Sequence, residues 1–590
     1  MNIIKKFLIL LSKHERKNAI VLLFLILIMA FLDMIGVASI LPFVAVLTNP
    51  NVVETNAILN KMFQISKFVG VENNEQFLFV LGISFFVLLI FSLSFKAFTT
   101  YIQLKFVFMR EHSISKKFVE SYLTQPYVWF LNRNSADLGK TILSEVTQIV
   151  SKGLKPLIEM IAKGMIALAL IILLILTDPQ LALIIGFTLT GAYIIIYLLS
   201  LKYLNKIGKQ RLENNKLRFL RINEAFGAIK DIKVRGLEEI YIRNYSKSSK
   251  TFARTQALSK IIGQMPRFAL EGIAFGGIML VILYLMLREG SFNNALPIIS
   301  LYAFAGYRLL PSLQQIYYSF TKISFMSPSI DELSNEFKNL KLLKTTETID
   351  KFFPSKSIVL KNINYSYPNS GRTALEDVNL VIPAKSTVGI IGSTGSGKTT
   401  TVDIILGLLE VQKGTLEVDN KVISKQNFRS WQQSIGYVPQ HIYLLDDTVA
   451  ANIALGIDSK KIDQNIVEKA SKIAKLHDFV SENLPEKYQT IVGERGVRLS
   501  GGQRQRIGIA RALYHNPAVI ILDEATSALD SKTEQSVMDA LGNLKNDITI
   551  ILIAHRLNTL QNCDLIFELQ KGKVINKGTF NELFLKKNNS

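Results

Sequence analysis

The stretch Gly392-Ser-Thr-Gly-Ser-Gly-Lys-Thr399 decides how this chain is read. It follows the β-branched run Val388-Gly-Ile-Ile391 and opens an apolar-periodic stretch, residues 399–409. A strand, a glycine-rich loop and a helix in that order form a phosphate cradle, because glycines let backbone N–H groups approach the anion at the helix N-terminus. Gly392, Ser393, Thr394, Gly395, Ser396, Gly397, Lys398, Thr399 and Thr400 are therefore the expected nucleotide contacts. Lys398 is placed to reach the β- and γ-phosphates, and the Thr399 hydroxyl to hold Mg²⁺. A chance glycine turn would not need the flanking strand and helix.

Downstream, Val519-Ile-Ile-Leu-Asp523-Glu524 reads as a buried strand ending in two acids. Asp523 is placed to orient Mg²⁺ and Glu524 to take a proton from an attacking water. An acidic pair alone is weak. Here it follows a second nucleotide motif, Leu499-Ser-Gly-Gly-Gln503.

Upstream the composition changes. The 590-residue chain carries a formal net charge of +21, and its long apolar runs are confined to the first half. Residues 19–47, 76–100, 157–177, 181–201, 267–287 and 295–310 are candidate spans, about six by the hydropathy rule. The third and fourth are separated only by Asp178-Pro179-Gln180. The basic residues lie in the N-terminal arm and in segments 105–155 and 202–260, which is expected to place the N-terminus and the second half of a multi-pass membrane protein in the cytoplasm. The charge then reflects cytoplasmic loops, not nucleic acid. Cys563 is the only cysteine, so no intrachain disulfide forms.

The two long basic segments have few internal Gly or Pro and read as helical extensions of the spans. Each must turn at its tip, one at Pro126-Tyr-Val-Trp-Phe-Leu-Asn-Arg-Asn134 and one at Phe226-Gly-Ala-Ile-Lys-Asp-Ile-Lys233. These are either plain corners or coupling elements. The expected organisation is an all-α six-helix transmembrane domain over 1–330, a linker over 331–357 and an α/β P-loop nucleotide-binding domain over 358–590.

The motif set resembles that of ATP-binding cassette (ABC) exporters of the type IV fold, membrane domain first. The resemblance covers the whole cassette, and it implies further roles. Ser500, Gly501, Gly502 and Gln503 form the family signature, with Ser500 and Gly502 contacting the γ-phosphate bound on the other subunit. Gln440, in Tyr437-Val-Pro-Gln440, senses Mg²⁺. His555, in Ala554-His-Arg556, contacts the γ-phosphate. Asp530 closes Ser527-Ala-Leu-Asp530, which joins the two sites. Tyr367, in Tyr365-Ser-Tyr-Pro368, stacks on adenine. Gly493-Glu-Arg-Gly496 lies near the coupling elements. One P-loop and one signature per chain, with no motif degenerate, favour a homodimer.

The cassette is silent on cargo. In the membrane half, Lys96, Arg267 and Arg308 fall within or at the ends of candidate spans. Two readings fit: a basic girdle for an anionic head group, or side chains that snorkel to the interface, with Arg267 pairing Glu271 one turn on. In the external segment 50–75, Ile58, Leu59, Met62, Phe63, Ile65, Phe68 and Val69 alternate in blocks with polar residues. That is either an interfacial helix on the outer leaflet or a helix packed on the spans. Met265-Pro-Arg-Phe-Ala-Leu-Glu-Gly272, Tyr307-Arg-Leu-Leu-Pro311 and Gln440-His-Ile-Tyr-Leu444 resemble the bacterial flippases of lipid-linked oligosaccharides for protein glycosylation. Lys96 stands where that branch would carry arginine. The implied cargo is a polyprenyl-pyrophosphate-linked glycan. A lipid A-type flippase and a multidrug or peptide exporter share the same framework. A chromosome-binding ATPase, which also carries a signature motif, is excluded by the spans.

Overall fold

The computed structural model describes residues 2–585, apart from 290–291, 341–350, 369–370, 527, 545–546 and 555. The chain divides into two compact units. One comprises Met1–Gln125 and Asn132–Leu343, the other Pro126–Leu131 and Lys344–Ser590.

Every element described in the first unit is helical. In lipid, a backbone must satisfy its own N–H and C=O groups, and a helix does so within one segment. Among the described residues, five helical stretches are long and apolar enough to cross a membrane: Lys13–Thr48, Asn74–Leu123, Ser135–Thr177, Glu238–Tyr284 and Leu296–Asn339. The remaining expected span, 181–201, lies within the continuous helix Pro179–Gly227. Asp178 caps that helix by accepting from Leu181 N, and Pro179 occupies its first position. Helices Asn74–Leu123, Pro179–Gly227 and Phe292–Asn339 contain 50, 49 and 48 residues. At about 1.5 Å per residue each exceeds 70 Å, more than twice the roughly 30 Å of hydrocarbon. Residues 331–339, expected in the linker, are the end of the last of these helices.

Packing sets which faces turn inward. Leu22, Ile26 and Met29 on Lys13–Ala38 meet Ala162, Ile166 and Leu170 on Lys155–Thr177 and Leu301, Ala305 and Leu309 on the last helix. Gly208 lets two of the long helices touch backbone to backbone: a Cβ there would lie 2.3 Å from the Phe325 carbonyl oxygen.

The external segment folds as short helices Val52–Thr55 and Ala57–Ser66, the second capped by Asn56. Its apolar residues divide. Leu59 and Phe63 pack against Val46, Val53, Val71, Phe77 and Leu81. Ile58, Met62, Ile65 and Phe68 face outward, Phe68 being 93% exposed. The same helix is thus both packed on the spans and apolar on its open side.

The second unit contains two sheets. Strands β1 (Ser357–Tyr365), β2 (Leu375–Pro383), β4 (Lys413–Val418) and β5 (Lys421–Val422) form an antiparallel sheet in the order β2-β1-β4-β5. The larger sheet joins β3 (Thr387–Gly392), β6 (Ile435–Val438), β7 (Val519–Asp523), β8 (Thr549–Ile553), β9 (Leu565–Gln570) and β10 (Lys573–Gly578) in the order β10-β9-β3-β8-β7-β6. From β9 to β6 the strands are parallel. β7 and β8 are buried along their whole length, as continuous Ile/Leu/Val runs in a parallel sheet must be. Parallel alignment brings the C-terminal ends of β3, β7 and β6 to one edge. Gly392, Asp523 and the segment leading to Gln440 therefore share that edge, where α/β proteins place their ligands.

Pro126–Leu131 belongs to this second unit. Val128 packs on the core formed by Ile404, Ile405 and Trp431. Burial, and then the Asp403 carboxylate, push the Tyr127 phenol up.

Candidate functional site

The P-loop turns on backbone that only glycine tolerates. Gly392 has φ 150° and Gly397 φ 104°; a Cβ on the first would lie 2.2 Å from the Leu569 carbonyl oxygen, and on the second 2.7 Å from Leu375 Cδ2. Lys398 and Thr399 open the helix Lys398–Ile405 directly after the loop. Lys398 Nζ donates to the carbonyls of Gly392 (2.8 Å) and Ser393 (3.0 Å), which folds it over the loop. Burial lowers its pKa, and the charges of Glu524 and Asp523 work against that. The Ser396 hydroxyl is buried there without a hydrogen-bond partner among the described residues. Tyr367 OH lies 3.2 Å from Thr400 Oγ1, so the aromatic expected at adenine adjoins the P-loop helix.

Across the edge, Gln440 Nε2 donates to Glu524 Oε2 at 2.7 Å. Glu524 sits at φ 50° and its N–H donates to Ile553 O. A non-glycine residue held in the left-handed region at a strand end is a strained position of the kind functional sites retain. The amide of Gln440 is spent on Glu524, which leaves its carbonyl oxygen to face a ligand. Thr399 hydroxyl, Gln440 carbonyl and Asp523 carboxylate make an all-oxygen set, the donor chemistry that fits Mg²⁺.

Sequence reading passed over three residues here. Tyr437 OH donates to Asp523 Oδ2 at 3.4 Å, and burial followed by the Asp523 charge drives its pKa up. Asp403, buried on the P-loop helix, is raised to about 6 by burial and by the Asp523 charge. Glu534 accepts from Thr526 (2.8 Å), Thr559 (2.9 Å) and Arg556 (2.7 Å), tying the loop before Asp530 to the segment after β8. Tyr437 had a visible signal, since it opens the Gln440 motif. Asp403 and Glu534 had none.

The signature lies in a different part of the unit. Ser500 caps the helix Gly501–Tyr514: its hydroxyl accepts from Gln503 N and Gln503 Oε1 accepts from Ser500 N. Gly501 and Gly502 abut Ala528 and Leu529, where a Cβ would come within 3.2 Å of a neighbouring side chain. Among the described residues no hydrogen bond links 499–503 to the P-loop. Asp530 caps the helix Ser531–Gly542 through Thr533 N. His555 and Ser527 lie outside the described residues.

In the helical unit the three basic candidates separate. Arg308 Nη1 donates to Asp33 Oδ1 at 2.9 Å, and Lys96 Nζ stands 3.9 Å from Asp33 Oδ2. Arg267 does not join them: its Nε lies 2.5 Å from Glu271 Oε1, and its side chain is exposed. Of the two readings, the pairing of Arg267 with Glu271 one turn away is present, and Lys96 and Arg308 stand together around Asp33. Lys163 lies within electrostatic reach of Lys96, Asp33, Arg308 and Glu159. Asp33 and Lys163 were missed. Asp33 had a signal, since it continues the inward series Leu22, Ile26 and Met29 at helical spacing.

A P-loop ATPase sheet in one unit and membrane-length helices in the other define a membrane protein driven by ATP. Family models bear this out: the ABC transporter transmembrane region matches residues 56–305 and the ABC transporter model matches residues 375–527. The ATP-dependent lipid A-core flippase of Wigglesworthia glossinidia brevipalpis is 30% identical over 80% of this chain and 81% of its own length. That of Cupriavidus pinatubonensis is 32% identical over 77% of each. A solved structure of a bacterial Atm1-family ABC exporter with ATP bound superposes with a TM-score of 0.78 at 20% identity, covering 97% of this chain and 96% of that one. The chain belongs to the ABC transporter family, as a half-transporter of the exporter type. It is a multi-pass membrane protein that binds ATP and couples its hydrolysis to transport.

Proposed function

We propose that two copies of this chain, in the inner membrane with their ATPase units in the cytoplasm, flip an anionic lipid to the outer leaflet. The specific cargo we propose is a polyprenyl-pyrophosphate-linked oligosaccharide destined for protein glycosylation. The observation that carries this reading is the convergence of Lys96, Arg308 and Lys163 on the inward face of the membrane helices. Charges at that depth are costly and are retained for a charged passenger or partner. The outward apolar stripe Ile58, Met62, Ile65 and Phe68 supports it, since a polyprenyl tail needs a greasy track outside the bundle.

In the dimer each P-loop would face the partner's signature, which accounts for the separation of the two motifs within one chain. Lys398 would leave its carbonyls for the phosphates, and Glu524, held by Gln440, would take the proton of the attacking water. Mg²⁺, bound through Thr399, Gln440 and Asp523, would neutralise charge on the phosphates. His555 contacting the γ-phosphate and Tyr367 stacking on adenine complete the proposed site.

The names of the relatives favour a second reading, a lipid A-type cargo. Proteoliposomes containing the protein separate the two. ATP turnover should rise with a polyprenyl-pyrophosphate-linked oligosaccharide, and that lipid should become accessible to a glycosidase on the far side. Stimulation by lipid A alone selects the second reading. Stimulation by neither, with a drug or peptide moved instead, overturns both.

A further inference from the structure

We infer that Asp33 is a built-in counter-ion that an anionic head group must displace, so that it sets how tightly the membrane-embedded cations hold their cargo. This rests on the anionic-lipid reading above and adds the residue that regulates it.

Asp33 is 3% exposed and sits in a run of apolar residues on the first long helix. A carboxylate there is expensive unless its acceptor sites are filled. They are only partly filled. Oδ1 accepts from Arg308, but Oδ2 accepts no hydrogen bond among the described residues, because Lys96 Nζ remains 3.9 Å away. Arg308 Nε is likewise buried without a partner. Ser92, Lys96, Thr99 and Gln103 follow one another at helical spacing on Asn74–Leu123, and Thr99 Oγ1 and Gln103 Nε2 are also buried and unbonded. Glu159, the other acid within reach of Lys163, is engaged by Lys155 and Gln315.

Open donors alone do not set this cluster apart, since Arg211 Nε and Nη2 beside Glu145 are also without hydrogen-bond partners among the described residues. The surplus of positive charge does: Lys96 and Arg308 share the one carboxylate of Asp33, Lys163 lies close by, and the only other acid there among the described residues, Glu159, is already paired with Lys155. A diphosphate supplies the missing negative charge and several acceptor oxygens. Asp33 and the diphosphate then compete for the same Arg308 and Lys96 donors. With Asp33 in place, the cations are not left bare in a low-dielectric interior. When the head group leaves, the carboxylate returns to Arg308 and favours release. The apparent affinity for the anion is lowered by the fraction of time Asp33 holds the donors.

Binding of radiolabelled farnesyl diphosphate to the full-length protein in nanodiscs tests this, with farnesol and inorganic diphosphate as comparisons. Asp33→Asn should bind farnesyl diphosphate about tenfold tighter than wild type, equivalent to about 1.4 kcal/mol, with farnesol binding unchanged. Asp33→Glu, which keeps the charge, should bind like wild type. Because Asn leaves buried cations uncompensated, the same change is also made in an Arg308→Gln background, where Asp33→Asn/Arg308→Gln should bind tighter than Arg308→Gln alone. If wild type prefers farnesyl diphosphate to farnesol but removing the carboxylate tightens binding in neither background, Asp33 is only a tie and the inference falls alone. If wild type does not prefer farnesyl diphosphate, the anionic-polyprenyl reading falls and takes the inference with it. Inorganic diphosphate competing as well as farnesyl diphosphate, and more tightly in Asp33→Asn, would support the exchange and assign recognition to the head group rather than the tail.

Discussion

The nucleotide edge of the cassette and the helical unit hold their polar groups in different ways. In the cassette, Lys398 rests on backbone carbonyls and Gln440 on Glu524, contacts that a nucleotide can take over without leaving a buried ion bare. In the helical unit, charge is neutralised by charge. Arg211 is completely buried and donates to Glu145 Oε2 at 2.7 Å and to Ser329 Oγ at 2.9 Å, while Asn215 donates to Glu145 Oε1 at 2.6 Å. Lys140, equally buried, pairs with Asp137 at 2.9 Å. The difference teaches what each unit is built to do. A catalytic edge keeps its charges poised for a ligand that arrives and leaves, whereas helices of nearly 50 residues need internal ties that hold them in register.

The strongest way to break this contrast is Glu524→Gln. If Glu524 is poised as a base, the amide keeps the contact to Gln440 but cannot take a proton. ATP turnover should fall by roughly 10²–10⁴-fold while ATP binding persists. Turnover near wild type in the purified variant would remove Glu524 from that role.

Next in size is the helical tie. Glu145→Leu strands the Arg211 cation in a buried site and should destabilise the protein by about 3–5 kcal/mol. The double change Glu145→Leu/Arg211→Met should recover most of that loss in thermal unfolding. Equal damage from single and double variants would show that the pair does more than neutralise itself.

These two sites also differ in how far they could be read from sequence. The catalytic edge was legible because each motif is contiguous: the loop glycines, the strand, the acid pair. The parallel sheet then needs only strand order to assemble them. The buried ion pairs were not legible, because Arg211 meets Glu145 from 66 residues away and Arg308 meets Asp33 from 275. Helical periodicity places a residue on a face but does not say which face of which helix opposes it. The pairing of Arg267 with Glu271, four residues apart, was accordingly foreseeable. So was the amphipathicity of Ala57–Ser66, though not which of its apolar residues would pack inward.

A smaller effect sharpens the cassette side. Asp403 is raised to about 6, so the folded state holds its proton where the unfolded chain has released it. A raised carboxyl contributes stability that is present at low pH and is lost as pH rises through about 6. Asp403→Asn should therefore melt like wild type near pH 4 and be more stable by about 2 kcal/mol at pH 8. A melting difference that does not change with pH would show that folding does not raise the Asp403 carboxyl.

The smallest effect is on the open side of the external helix. Exposed positions tolerate substitution within about 0.5 kcal/mol, so serine at Ile58, Met62 and Ile65 should leave thermal stability unchanged. Stimulation of ATP turnover by a polyprenyl lipid should nevertheless drop, with Lys61 and Gln64 substitutions as controls. Unchanged stimulation in both sets would make the stripe a connector only.

The six residues Pro126–Leu131 cluster with the cassette although the chain reaches them from the 50-residue helix Asn74–Leu123. That helix contains no proline and measures about 75 Å, so it behaves as one stiff rod. Its first turn begins at Asn74, and Phe77 there packs on Leu59 and Phe63 of the external helix. A rod of that stiffness cannot bend to absorb a displacement, so any tilt of it must be taken up where Phe77 meets the short helix Ala57–Ser66.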